Sequence, residues 1–227
     1  MDTQGSYTFH LRGEEIHLLS QRALWWPKEK SLLIADLHLG KSGHFRSHGI
    51  AVPSLVNVAT LQRLTQLLND FQPEKVIFMG DLFHSTYNKE WEAFKKVIRD
   101  FPVEYLLVQG NHDILPKEKY VDAGITLKKG SYPLSPFLLS HEPLTDHKGD
   151  DYVLAGHIHP GVRMRGMARQ VMSLPCFFFG EKQGILPAFG DFTGLFIMEP
   201  REEDCLFAIV EEEILQVNGG SSPGFPQ

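Results

Sequence analysis

Cysteine is almost missing from this chain: two residues, Cys176 and Cys205, among 227. They stand in unrelated contexts with no C-x-x-C spacing, which leaves no basis for a disulfide framework or a thiolate metal site, and both read as small apolar core residues. Long apolar runs are missing too. No stretch approaches the roughly 18 to 20 consecutive apolar residues of a membrane span, and the opening "MDTQGSYTFH" lacks a basic segment followed by an apolar one. A cytoplasmic protein without membrane contact is expected. Basic charge is not in excess: 22 Lys and Arg against 28 Asp and Glu leave a formal charge of −6. That argues against coating nucleic acid by bulk electrostatics, although a local basic groove stays open. Repeats and low-complexity blocks are absent until "NGGSSPGFPQ", Asn218 to Gln227, which is expected to be a disordered tail. The remaining 1–217 is expected to form a single domain.

What is present is an alternation of strands and helices. The chain opens with short strands, "YTFHL", "EIHLLS" and "ALWWP", in which Trp25 and Trp26 read as core or sheet-edge aromatics. Then "SLLIADLHLG", "EKVIFMGDLFH" and "VEYLLVQGNHD" are separated by two helical patterns. The first, Ser54 to Phe71, places Leu55, Val58, Leu61, Leu64, Leu67, Leu68 and Phe71 on one face, with Ser54 as N-cap. The second, about Asn88 to Asp100, does the same with Trp91, Phe94, Val97 and Ile98. Two more apolar runs follow, "SPFLLSHEP" and "DDYVLAGHIHP", and the last third reads as hairpin-connected strands without a long helix. Continuously apolar strands alternating with amphipathic helices, followed by hairpins, predict an α/β fold in which two packed sheets carry helices outside. Pro53 and Pro116 read as segment edges within that domain.

Each of the five middle strands ends in residues able to bind a metal. These are Asp36 and His38; Asp81 and His84; Asn111, His112 and Asp113; His141; and His157 and His159, the last pair from "GHIHP". An H-x-H pair alone would only share one face of a strand. Open α/β sheets, however, gather ligands beyond the carboxyl ends of their strands, so five such tips converge on one place. Carboxylate, imidazole and amide donors without thiolate suit Mn, Fe or Zn in a reactive centre better than a structural zinc. The donors are too many for one tetrahedral ion, and Asp81 has two oxygens with which to bridge a pair. Two cations about 3.5 to 4 Å apart are the usual device for in-line displacement at phosphorus. Phosphoester hydrolysis is the predicted chemistry.

The motifs "DLH", "GDLFH", "GNHD", the lone His of "SHEP" and "GHIHP", in that order, resemble the five motifs of calcineurin-like metallophosphoesterases. The resemblance implies a two-sheet sandwich flanked by helices in four layers. It implies that Asp36, His38, Asp81 and His159 bind a first metal, and that Asp81, Asn111, His141 and His157 bind a second. Two divalent ions, Mn2+ with Fe or Zn as alternatives, are the expected cofactors, and a bridging hydroxide is the implied nucleophile. His112 is implied to face the substrate and to stabilise charge or protonate the leaving oxygen, with Asp113 orienting its imidazole.

A narrower similarity over roughly residues 14–198, carried by "RALWWP", "LLIADLHLGK", "GIAVP", "GHIHP", "LPCFFFGE" and "LPAFGDFTG", is to the bacterial ligase-associated DNA damage response phosphoesterases. It implies a DNA endonuclease or phosphodiesterase in repair, partnered with a ligase or helicase assembly. Ile114 stands where relatives carry a basic residue after "GNHD". His84 resembles a second substrate-facing histidine of Mre11-type nucleases, or else is a solvated loop residue. Lys41, Arg46, Arg163, Arg165 and Arg169 are candidate contacts to a nucleic-acid backbone, or simply solvated strand faces, while His44 and His48 are not expected to be ligands. Two other readings stay open. One is hydrolysis of a small phosphodiester, nucleotide pyrophosphate or phosphomonoester, favoured by the acidic charge and the lack of aromatic stacking platforms. The other is a non-catalytic scaffold, whose mark would be loss of ligand residues.

Overall fold

The continuously apolar runs of the central strands call for a sheet buried on both faces, and a computed structural model of the chain shows such a sheet packed on a second one. Residues 5–40, 55–84, 88–165, 170–191 and 193–219 are described. The first sheet has seven strands in sequence order: β1 (Ser6–Leu11), β2 (Glu14–Leu19), β3 (Ala23–Trp26), β4 (Ser31–Ile34), β5 (Lys75–Phe78), β6 (Glu104–Val108) and β7 (Ile125–Lys128). It is antiparallel as far as β4, and β4, β5, β6 and β7 run parallel. The crossovers are α1 (Leu55–Phe71), α2 (Lys89–Arg99) and α3 (Lys117–Asp122).

The second sheet has nine strands. They are β8 (Tyr132–Leu134), β9 (Phe137–Ser140), β10 (Tyr152–Ala155), β11 (Pro160–Arg165), β12 (Val171–Phe179), β13 (Gln183–Ile185), β14 (Phe196–Ile197), β15 (Cys205–Val210) and β16 (Glu213–Gly219). The main path runs β14-β11-β12-β13-β10-β9-β8, and β15 joins β12 to β16.

Alternate residues of the central strands serve different cores. Leu32, Ile34, Val76, Phe78 and Leu107 pack under the helices against Leu64, Leu67, Leu68, Trp91 and Phe94. Their neighbours Leu33, Ala35, Ile77, Met79, Leu106 and Val108 pack between the sheets against Phe137, Leu139, Leu154, Phe177, Phe179 and Phe207. Each side chain buried this completely contributes about 1.5 to 3 kcal/mol, so the sheets are locked face to face. Trp26 is fully buried and Trp25 packs on Phe71. The cysteines are buried and unpaired, and burial pushes the Cys176 thiol up to about 12.

Asn88 accepts hydrogen bonds from the Glu90 and Trp91 amides, 2.8 and 3.4 Å, and so caps α2 where the sequence pattern begins it. Some details differ from expectation. Helix α3 has six residues and no side-chain cap, too little for a periodic signal. Val58, expected on the buried face of α1, is 48% exposed, whereas Thr60 is buried in its place. Strand β16 continues to Gly219 by pairing with β15, two residues into the segment expected as a tail, and residues 220–227 lie outside the described residues. All three described helices cover the first sheet; among the described residues the outer face of the second carries only small apolar clusters, around Cys176 and Leu206 and around Val153. No described helix is long and apolar enough to cross a membrane.

Candidate metal centre

Parallel strands bring their carboxyl ends to one edge. Beyond β4 and β5 the two loops stay hydrogen-bonded as if the ladder continued: Asp36 N to Gly80 O (3.3 Å), His38 N to Asp81 O (2.8 Å), Leu39 N to Leu82 O (3.1 Å) and His84 N to Leu39 O (2.7 Å). In the second sheet the Gly156 amide donates to His141 O (3.0 Å), which joins the tips of β9 and β10. The His157 amide donates to Asp36 Oδ2 across the gap between the sheets, 2.8 Å. The tips therefore fold as one unit.

Backbone strain gathers here. Five of the ten described non-glycine residues with positive φ are Asp36, His38, Asp81, His157 and His159, at 49° to 67°. Left-handed backbone is costly for such residues and recurs at functional sites, where surrounding structure enforces it. Glycine precedes the donors for a steric reason. A Cβ on Gly80 would run into the His141 ring, and one on Gly156 would lie 2.6 Å from Asp36 Oδ2.

Two triads result, Asp36 with His38 and His159, and Asp81 with His141 and His157, each with its ligand atoms within 4.8 Å of one another. Asp36, His38, Asp81 and His141 are buried, whereas His157 and His159 are partly open. Asp81 stands between the triads, with Oδ1 3.4 Å from His141 Nε2 and Oδ2 3.8 Å from His38 Nε2. Asn111 Oδ1 lies 3.1 Å from His141 Nε2 and so adds an amide oxygen to the second triad. His141 Nδ1 faces the Met79 carbonyl at 3.1 Å, which fixes its proton on Nδ1 and turns the Nε2 lone pair inward.

These donors fit cations. Asp36 Oδ1 is buried and accepts no hydrogen bond. It lies 3.6 Å from His159 Nε2 and 3.9 Å from His141 Nδ1. Imidazole nitrogens also meet head to head, His38 Nε2 with His159 Nε2 and His157 Nδ1 with His141 Nε2, both at 3.1 Å. One ring of each pair can donate to the other, yet so many nitrogen and carboxylate donors converging around the unsatisfied Asp36 Oδ1 suit bound cations.

The other predicted residues fall around this cluster. The His112 ring lies outside both triads, and its backbone amide donates to Asp81 Oδ1, 3.0 Å. The His84 ring stacks on it, with centroids 3.8 Å apart and planes 20° apart, and His84 Nδ1 approaches His38 Nδ1 at 3.4 Å. Asp113 departs from expectation. Its carboxylate accepts from the amides of Leu82 (2.9 Å), Phe83 (3.2 Å) and Gly110 (2.8 Å), bracing the loops that carry Asp81 and Asn111 in place of orienting the His112 imidazole. Burial pushes its pKa up to about 6, against the pull of those amides. Arg163 and Arg165 are exposed on β11. Lys41, His44, Arg46, His48, Pro53, Ser54 and Arg169 lie outside the described residues.

One part of the surrounding frame had no role assigned from the sequence. Asp191 Oδ1 meets Arg22 at 3.0 Å and Arg63 at 3.1 Å, and Arg63 also donates to Phe189 O, 2.7 Å. The neighbouring amides of Phe189 and Gly190 donate to Ala35 O and Asp36 O. The "LPAFGDFTG" segment thus backs the first metal loop, which its resemblance to relatives hinted at without a stated role.

The sandwich, the strand-end cluster and the pairing of acidic and imidazole donors define a metallophosphoesterase. Residues 30–159, more than half of the chain, match the calcineurin-like phosphoesterase family, and the chain belongs to it. Among solved structures it is similar to the nuclease MPE of Pseudomonas putida, with 30% identity and a TM-score of 0.76 over 93% of this chain and 100% of that one. It also aligns with Yfce, a phosphoesterase from E. coli, at 16% identity and a TM-score of 0.43 over 82% of this chain and 97% of that one. A third alignment is to AQ665 from Aquifex aeolicus, a protein of unknown function, at 16% identity and 0.43 over 57% and 78%. No curated protein matches the chain.

Proposed function

We propose that the protein is a two-metal phosphodiesterase whose substrate is DNA, cut as an endonuclease would cut it in repair. The observation that carries the choice of substrate is the likeness, along 93% of the chain, to a nuclease. Asp36, His38, Asp81 and His159 would hold one divalent ion and Asp81, Asn111, His141 and His157 the other. Manganese is the proposed metal, because carboxylate, amide and imidazole without thiolate suit it. Two bound cations supply Lewis-acid polarisation of the phosphoryl group and make a water nucleophilic near neutral pH.

The chain's own residues set up the rest. Met79 O holds His141 in the tautomer that presents Nε2, and Asp81 supplies one oxygen to each triad. His112 lies beside the cluster and protonates the leaving oxygen, which costs least when the imidazole pKa is near the working pH. His84 keeps the His112 ring in plane by stacking and, through its Nδ1, orients His38.

The test is hydrolysis by manganese-loaded protein of plasmid DNA, linear DNA and small chromogenic mono- and diesters, each beside a chelator control. Chelator-sensitive cleavage of DNA is expected. His112→Ala should lower kcat about 10²- to 10⁴-fold while bound metal, read by elemental analysis, stays near the parent value. Cleavage of the small esters with DNA left intact would favour a metabolite phosphoesterase. Equal loss of metal and turnover in the variant would remove His112 from its assigned role.

A further inference from the structure

Strand β11 starts at Pro160, directly after His159 of the first triad. Its direction follows from the pairings. β10 is parallel to β13, β13 antiparallel to β12, and β12 antiparallel to β11, so β11 runs the same way as β10. Because β10 runs towards the metal centre, β11 continues past it and out of the body of the sheet. β12 returns, and only its later part, Cys176–Phe179, pairs with β15 and β13. Short β14 supports β11 at Pro160 and Gly161 alone. From Val162 onward the two strands pair, among the described residues, with each other alone and form a two-stranded arm at the rim of the site.

The arm has two unlike faces. Val162 and Met164 join the small apolar cluster with Cys176 and Leu206 on the outer face of the sheet. Alternation puts Arg163 and Arg165 on the opposite face, opposite Ser173 and Val171 of β12. That face of β12 leads down to Phe177 and Phe179 in the core between the sheets. The arginines therefore stand on the side of the arm that looks towards the first sheet, whose tips bring Asp36, Asp81 and Asn111. Both are exposed, and among the described residues neither guanidinium has a hydrogen-bond or ion-pair partner.

We propose that this arm is a phosphate rail for a nucleic-acid strand leaving the metal centre, with Arg163 and Arg165 each holding one backbone phosphate. At about 3.3 Å per residue, Arg163 lies roughly 13 Å and Arg165 roughly 20 Å along the strand from His159. The step between them, about 6.6 Å, is close to the through-space separation of neighbouring phosphates on one strand. The rail thus serves the phosphates about two and three positions from the one being cut. Guanidinium forks suit phosphate oxygens, and contacts of this kind position the strand without reading its sequence. The acidic net charge is no obstacle, because the basic groups act locally.

This inference rests on the DNA reading above, and its test separates the two. The full chain, manganese-loaded, and its Arg163→Ala/Arg165→Ala variant are assayed on a labelled single-stranded 12-mer and on bis(p-nitrophenyl) phosphate. Relative to wild type, the ratio of kcat/KM for the 12-mer to that for the diester should fall about tenfold, mainly through KM. The dependence of log KM on log salt should become shallower by about 1.4, at about 0.7 for each lost contact to a single strand. Lys at both positions should restore most of that slope. Truncating the oligonucleotide to fewer than three nucleotides on one side of the break should lower wild-type efficiency and abolish the difference between the proteins. An unchanged ratio and salt slope, in an enzyme that does cut the 12-mer, would overturn the rail alone. Wild type that hydrolyses the diester and leaves every oligonucleotide intact would overturn the DNA reading itself.

Discussion

Asp113 shows how much a single residue's environment decides. It follows His112 in the chain, yet its carboxylate turns inward and satisfies the backbone amides of Leu82, Phe83 and Gly110. Burial raises its pKa from 3.8 to about 6. A carboxyl raised in this way binds its proton more tightly folded than unfolded. Its stabilisation is therefore complete below about pH 4 and is lost as pH climbs through about 6, a difference of about 3 kcal/mol for two units. Cations bound beside Asp81 would draw the pKa down, so the measurement belongs to chelator-treated protein. Urea midpoints taken from pH 4 to pH 7 should show a fall in the wild type that is flattened in Asp113→Asn. The same variant should be weaker by about 1 to 3 kcal/mol at pH 4, since its amide NH2 confronts the Gly110 N–H. Parallel pH profiles for the two proteins would refute the assignment.

At the scale of elements, the first metal loop is held from two sides. Its front is zipped to the "GDLFH" loop by backbone hydrogen bonds, and its back rests on the Phe189–Gly190 peptide. Asp191 ties that peptide to α1 through Arg63 and to the start of β3 through Arg22. Arg63 also lies over the Phe189 ring, 4.7 Å from its centre. Removing the carboxylate leaves two partly buried guanidiniums facing each other, and burial together with Arg63 already lowers the Arg22 pKa. Asp191→Ala should therefore cost about 1 to 3 kcal/mol and weaken manganese binding more at the Asp36 triad than at the Asp81 triad. Two-site calorimetric titration reads the difference. Equal weakening at both sites, or none, would show that the clamp does not act on the loop.

The same elements show what a sequence discloses. Strand ends were legible because a buried parallel strand must be apolar along its length and stop where a donor begins, so "LLIADLH" and "VIFMGDLFH" mark both strand and site. The Asp191 clamp was not legible. Its partners lie more than a hundred residues away, at Arg22 and Arg63, and pairing over such a separation leaves no spacing to read. Asp113 misled through adjacency, since consecutive side chains in a turn diverge. The positive φ angles at five candidate donors likewise follow from packing around the tips, not from residue type.

For the whole molecule, the placement of the triads couples the metals to the sandwich. Each triad draws donors from both sheets: Asp36 and His38 with His159, and Asp81 with His141 and His157. Asp36 and Asp81 follow β4 and β5 of the first sheet, whereas the three distal histidines follow β9 and β10 of the second. A cation in either triad would then cross-link layers otherwise joined by the apolar core, and one in the first triad would give the buried Asp36 Oδ1 a partner. Binding to the folded form alone adds about 2.7 kcal/mol per site at a hundredfold excess over Kd, which for a chain of this size is about 5 to 10 °C in Tm. Manganese should raise Tm by at least that much, and hydrogen exchange should slow together at the tips of β4 and β5 and at those of β9 and β10. His141→Ala takes a donor from the second sheet only, yet it should reduce the protection gained on both sides of the seam. Protection confined to one sheet would mean that the ions sit on a single layer and that the two triads do not bridge the sandwich.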